Sequence, residues 1–215
     1  MWYDEGMENE LGQKILYIKN WLGTGSVNIF GLPMSGKDTV GMRLAGAIAG
    51  KFLSSGLIIR ANEELTRQHY SDKGDLIPSD VFYDWVLPYF EKPELKDVPL
   101  VLSSIGRWSG EEDAVMERAE KAGHPVKAAV ILNVSEADVM SRWQAVTVLN
   151  DRGKRHDDSD PAVFQNRIEE FRKKTSPVLL HYRALGLLVE VKADMEREAV
   201  FAELINKLYA FATRN

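Results

Sequence analysis

Residues 27–40 read V-N-I-F-G-L-P-M-S-G-K-D-T-V. A short apolar run, 27–30, ends at a glycine. A glycine-bracketed turn carries the chain to Lys37, and V-G-M-R-L-A-G-A-I-A then follows with helical periodicity and small residues that permit close packing. Strand, glycine loop and helix form the context of the phosphate-cradling pattern G-x-x-x-x-G-K-[ST]. Gly31, Gly36 and Lys37 fit that pattern. Asp38 stands where the magnesium-binding hydroxyl belongs, and Thr39 follows one place late. Backbone N–H groups of such a loop point inward as an anion nest, and the following helix adds its positive end. Lys37 would reach the terminal phosphates as a point charge.

The rest of the chain supports an α/β context. Further apolar runs at 51–54, 99–102, 128–134 and 187–191 read as buried parallel strands. Helical patterns lie between them at 77–91, 110–123, 135–149, 160–174, 176–185 and 195–212. An amphipathic helix over 8–22 precedes the first strand, marked by Leu11, Ile15, Ile18 and Leu22. The alternation predicts a three-layer α/β/α domain around a parallel sheet of about five strands. The boundaries are an N-terminal helical extension over 1–26 and the main domain over 27–215.

Composition narrows the chemistry. The 215 residues carry a formal net charge of -5, so nucleic acid is not an expected partner. There are no cysteines, which removes disulfides and thiolate metal sites. His69, His124, His156 and His181 are scattered without ligand spacing. The opening M-W-Y-D-E-G-M-E-N-E is acidic and lacks the basic and apolar regions of a signal peptide. No apolar run approaches the roughly 20 residues a membrane span needs. A cytoplasmic protein with no membrane association is the expectation.

The letters after Lys37 discriminate among phosphate loops. Pro33 and G-K-D-T at 36–39 resemble the Gly-Lys-Gly-Thr loop of adenylate kinases, with Asp38 in place of the second glycine and Met34 in place of another. The likeness continues in order. S-S-G-L-I-I-R at 54–60 resembles the family's S-T-G-D-L-L-R, and K-G-D-L-I-P at 73–78 resembles K-G-E-L-V-P. L-S-S-I-G-R at 102–107 aligns with L-D-G-F-P-R. R-H-D-D at 155–158 resembles R-x-D-D, N-R-I at 166–168 resembles K-R-L, and T-S-P with H-Y at 175–182 matches the following helix. The chain therefore resembles a divergent member of the adenylate kinase, or nucleoside-monophosphate kinase, family over about 27–207.

That resemblance implies ATP-dependent phosphoryl transfer to a nucleoside monophosphate, with AMP the leading acceptor and Mg2+ accompanying ATP. It assigns Gly31, Pro33, Ser35, Gly36, Lys37, Asp38 and Thr39 to ATP, with Thr39 on the metal. Ser55, Gly56, Arg60, Arg107 and Glu111 go to the monophosphate, within an insert over about 55–83. Lys37, Arg107, Arg142, Arg155 and Arg167 would neutralise the moving charge. A short lid over about 146–158 would carry Arg152, Arg155, Asp157 and Asp158. The two aspartates either hold that lid or are solvated carboxylates ahead of a helix cap at Ser159 or Asp160. Any one arginine also fits a surface ion pair.

Three departures from the family's pattern stand out: Ser103 for the aspartate that orders magnesium, Val146 for a second lid arginine, and Leu57 for the aspartate of S-T-G-D. Glu111 occupies the position of a base-reading Gln, and an ionised carboxylate accepts hydrogen bonds but cannot donate them. Two other functions stay open from these letters: a nucleotide-binding module without useful kinase activity, and a P-loop kinase of a non-nucleotide acceptor. A monomer is expected.

Overall fold

The computed structural model describes residues 5–67, 70, 74–149 and 160–215. In chain order the elements are α1 (Glu5–Leu22), β1 (Ser26–Gly31), α2 (Lys37–Ala47), β2 (Lys51–Ser54), α3 (Ser55–Thr66), α4 (Ser79–Trp85), β3 (Leu100–Ser103) and α5 (Glu111–Lys121). There follow β4 (Val126–Asn133), α6 (Glu136–Leu149), α7 (Pro161–Glu170), α8 (Ser176–Ala184), β5 (Leu188–Lys192) and α9 (Arg197–Ala212).

The strands form one sheet in the order β2-β3-β1-β4-β5, every neighbouring pair parallel. Parallel strands need helical crossovers, so both faces of this sheet are covered. Side chains alternate accordingly. Val27 and Ile29 of β1 join Val130 and Leu132 of β4 beneath α1, α2 and α9. Phe30, Ala129 and Ile131 face the other way, onto Val178, Leu179 and Tyr182 of α8. Leu53, Leu100 and Leu102 carry that second face under α3, α4 and α5. The central strand β1 is buried along its whole length, and its C-terminal end delivers the glycine loop to the C-terminal edge of the sheet.

The five predicted strands are present with shifts of one or two residues at their ends. Three helical features differ. The predicted helix 77–91 is α4 followed by a 3-10 turn, Leu87–Glu91. Pro88 explains the change: it has no N–H to give the preceding turn. The predicted 160–174 helix passes into α8 through a π-turn, Phe171–Thr175. Pro177 cannot donate to the turn before it, and the chain takes up an extra residue there. Helix α3 was not among the predicted elements. Its apolar residues do not form one stripe, since Ile58 is buried while Leu57 and Leu65 are exposed.

Candidate active site

The glycine loop is built by close approach and by handedness. A Cβ on Gly31 would collide with the Ser35 side chain, so this position needs glycine for space rather than for φ. Met34 and Gly36 both lie in the left-handed region, at φ 64 and 89. Left-handed residues alternating with right-handed ones turn successive N–H groups to one side and make a concave anion nest. Helix α2 starts at Lys37 behind Gly36, with no side-chain cap. Its first N–H groups and its positive end therefore remain available to a ligand. The Ser35 hydroxyl is buried and has no hydrogen-bond partner among the described residues. Met34 in the left-handed region carries a steric cost of about 1–2 kcal/mol.

Beside this loop, one cavity gathers residues from seven elements, among them β2 through Ser54 and α4 through Phe82. Lys37 and Asp38 come from α2; Ser55, Gly56 and Arg60 from α3; Ser103 from β3, with Arg107 just beyond it; Glu111 from α5; and Arg167 from α7. Ile59, Ile77 and Phe82 form an apolar wall. Four cations, Lys37, Arg60, Arg107 and Arg167, thus converge on one space, which suits a multiply charged anion.

Several of these groups are placed by identifiable contacts. Arg60 folds back along α3 over Gly56, where a Cβ would sit 3.2 Å from its guanidinium. Gly74 lies at φ 78, and a Cβ there would come within 2.8 Å of the Arg167 stem. The turn after β3 is pinned from below by Asn28, buried in β1. Its Nδ2 donates to the Ile105 carbonyl at 2.7 Å, and its Oδ1 accepts from the Ile105 N–H at 3.2 Å. The Ser55 hydroxyl donates to the Ser104 carbonyl at 2.8 Å, which joins α3 to the same turn. Ser104 adopts φ 51, a left-handed residue at the place of the family's glycine. The Arg107 guanidinium is pulled down to about 10 by burial and by the neighbouring Arg167 charge, with Glu111 and Glu170 opposing. It stays charged at neutral pH, and its Nε–H has no hydrogen-bond partner among the described residues.

Glu111 is almost fully buried. Its Oε2 accepts the backbone N–H groups of Arg107 and Trp108 at 2.8 and 3.0 Å, and its Oε1 accepts the Ser79 hydroxyl at 2.7 Å. Burial raises its pKa despite these three donors. The carboxylate thus braces the Arg107 loop against α4, while also lining the cavity. Glu111→Ala should leave two buried N–H groups unmet and lower stability by about 1–3 kcal/mol. Glu111→Gln keeps an oxygen for both N–H groups and an amide that can donate to Ser79, so its urea midpoint should stay near wild type. Equal losses in both variants would refute the bracing role.

Arg142 and Thr39 face a different space. Arg142 of α6 donates to the Ala193 carbonyl at 2.8 Å and lies 3.4 and 3.5 Å from the Met34 and Ser35 carbonyls. It ties the back of the glycine loop to the β5–α9 connection. With Thr39, Arg43 and residues 193–198 it lines a cleft of about 980 Å³, roughly the upper size of a small-molecule site. Arg142 is therefore separate from the Arg60–Arg107–Arg167 group. Arg152, Arg155, Asp157 and Asp158 lie outside the described residues. Asp160 caps α7 by accepting from the Ala162 N–H at 2.8 Å.

Two buried carboxylates of this region were not among the predicted site residues. Glu112 accepts from the Gly110 N–H at 2.7 Å and bonds His181 at 2.9 Å. Glu170 accepts from the Leu76 N–H at 3.2 Å and pairs with Lys174, whose ammonium lies over the Trp108 ring. Neither has a readable sequence signal, because acidic residues on a helix pattern ordinarily mark a solvated face.

Sheet order, glycine loop and converging cations define a P-loop kinase fold. Comparison with known proteins carries this further. No family model matches the chain. Adenylate kinase from Mycobacterium tuberculosis (strain ATCC 25618 / H37Rv) is 30% identical over 188 residues, covering 85% of this chain and 98% of the relative. Adenylate kinase from Parasynechococcus marenigrum (strain WH8102) is 32% identical over 179 residues, covering 79% and 91%. A crystal structure of a gluconokinase from Sinorhizobium meliloti 1021 superposes with TM-score 0.56 at 20% identity, covering 88% and 92%; at that identity it supports the fold alone. The chain belongs to the adenylate kinase family and is a P-loop phosphotransferase.

Proposed function

We propose that the protein transfers the γ-phosphoryl group of ATP to a nucleoside monophosphate, with AMP as the acceptor, giving two ADP. The observation that carries this reading is the convergence of Arg60, Arg107 and Arg167 with Lys37 on one cavity. A dianionic phosphate matches that density of cations. Phosphoryl transfer requires little from a protein beyond positioning and neutralising the developing charge. No general base is needed, because the attacking oxygen of a monophosphate is already ionised.

In this reading the two spaces divide the substrates. The monophosphate lies against Arg60 and Arg107, with its base toward Ile59, Ile77 and Phe82. The donor's phosphates lie in the nest at Gly36 and Lys37, and its nucleoside extends along the cleft beside Arg142 and Thr39. Arg167 stands between the two substrates. Arg152 and Arg155, with Asp157 and Asp158, belong to the proposed lid.

Oxygen is the donor type that suits a hard cation such as Mg2+; the Thr39 hydroxyl is an oxygen the loop offers on the side of the donor cleft. When bound with ATP, the cation neutralises phosphate charge during transfer.

Gluconate, the acceptor that the name gluconokinase implies for the structural neighbour, is less well matched. It has one carboxylate and neutral hydroxyls, and would leave most of the cations here uncompensated. A monomer in the cytoplasm is part of the proposal. No helix among the described residues is long and apolar enough to cross a membrane. The test is calorimetric titration of AMP, CMP, UMP, GMP, dTMP and gluconate into the protein. AMP should bind most tightly and gluconate should give no heat. Preferential binding of gluconate would refute the assignment.

A further inference from the structure

Helix α7 carries Val163, Asn166, Arg167 and Glu170 at the i, i+3, i+4, i+7 spacing that places residues on one helix face. That face meets residues 74–76, a strap that leads into the apolar wall at Ile77 and then into α4. The Asn166 amide donates to Asp75 Oδ1 at 2.8 Å. The Leu76 N–H donates to the buried Glu170 carboxylate at 3.2 Å. Just before these two ties lies Gly74, buried at φ 78. A Cβ there would stand 2.8 Å from both Arg167 Cγ and the Val163 carbonyl oxygen, and 3.1 Å from Val163 Cγ1. All three strap residues line the cavity of converging cations, and so does Arg167.

The other attachment of α7 is apolar. Phe164 and Ile168 pack with Val139 and Trp143 of α6, and the Phe164 and Trp143 rings stack at 5.2 Å. This packing fixes the helix as a body. It does not choose the direction in which the Arg167 side chain leaves its backbone. The strap does, because the Arg167 stem lies in space that any larger residue at 74 would take. The contact acts on the methylenes of the stem, so it holds whatever polar partners the guanidinium has. A stem fixed in advance also loses less rotamer freedom when its head engages a phosphate.

We propose that Gly74 is a positioning residue: its missing side chain lets the strap close on α7 and set the direction of Arg167 between the two nucleotides. The proposal rests on the two-nucleotide reading above.

The test is calorimetric titration of diadenosine pentaphosphate, which carries both nucleosides on one phosphate chain, into the full chain. Gly74→Ala should weaken binding about tenfold, and Arg167→Ala by at least as much. Gly74 acts through Arg167, so the double variant should lie within about twofold of Arg167→Ala alone. Gly186→Ala is the control. Its φ of 72 imposes similar left-handed strain, but a Cβ there meets nothing within 4 Å. It should lose a comparable amount of melting temperature and keep wild-type affinity. If Gly74→Ala fails to fold, a charge-matched pair decides. Asp75→Asn keeps an acceptor for the Asn166 amide and Asp75→Ala does not, so the alanine variant should bind about threefold more weakly than the asparagine variant. Full affinity in Gly74→Ala, additive losses in the double variant, or an equal affinity loss in Gly186→Ala would overturn the proposal, as would equal affinities in the Asp75 pair. Wild type that fails to bind the ligand overturns the two-nucleotide reading itself, and the Gly74 role falls with it.

Discussion

Lys37→Ala is expected to lower the rate of phosphoryl transfer by two to three decades, while the far-UV spectrum and melting temperature stay close to wild type. Lys37 opens α2 directly behind the left-handed Gly36, at the mouth of the nest. Removing one preorganised group that stabilises transition-state charge costs roughly 3–4 kcal/mol. The fold should tolerate the change because the core beneath the loop is made by Val27, Ile29, Val40 and Leu44, none of which depends on the lysine. Steady-state turnover at saturating ATP is the measurement. Activity within fivefold of wild type would mean that the glycine loop is not the donor site.

Arg107→Ala is expected to weaken monophosphate binding by roughly ten- to hundredfold, the equivalent of about 1.5–3 kcal/mol for hydrogen bonds to a charged group. Donor binding should change by less than about twofold, because the proposed arrangement puts the two substrates on opposite sides of the loop. The geometry behind this is specific. The backbone N–H of Arg107 is fixed by Glu111, its loop is clamped by Asn28 through Ile105, and its Nε–H has no partner among the described residues. Separate titrations of AMP and a non-hydrolysable ATP analogue distinguish the cases. Equal weakening of both ligands would assign Arg107 to structure instead.

The fold was largely legible because its strands are buried on both faces. Such strands read as uninterrupted apolar runs, and the pattern at 27–40 supplied strand, turn and helix within fourteen residues. The interruptions at Pro88 and Pro177 shifted helix geometry without moving any strand. Helix α3 escaped notice because its exposed Leu57 and Leu65 break the expected stripe.

The candidate site was legible to the extent that the residues lining its cavity lie in local motifs. The cavity brings Lys37, Ser55, Gly56, Arg60, Arg107, Glu111 and Arg167 together from separate stretches of chain. What the letters could not reveal was tertiary. The carboxylate of Glu111 is occupied by backbone donors four and three residues earlier and by a serine from another helix. Asn28 sits in a strand where any polar residue looks anomalous, and its purpose appears only when the turn after β3 lies above it. Asp38 and Ser103 read as two separate losses from the family's pattern, whereas in space they form one hydrogen-bonded pair. Arg142 follows the fourth strand as the family resemblance implies, yet its guanidinium braces the glycine loop from the far side.

The proposed reaction is phosphoryl transfer between two nucleotides. Its most direct test is phosphorus NMR of the purified protein with ATP, magnesium and AMP. Two ADP should form for each ATP consumed, with no inorganic phosphate released. Release of inorganic phosphate without ADP doubling, or no turnover with AMP, CMP, UMP, GMP or dTMP at any magnesium concentration, would contradict it.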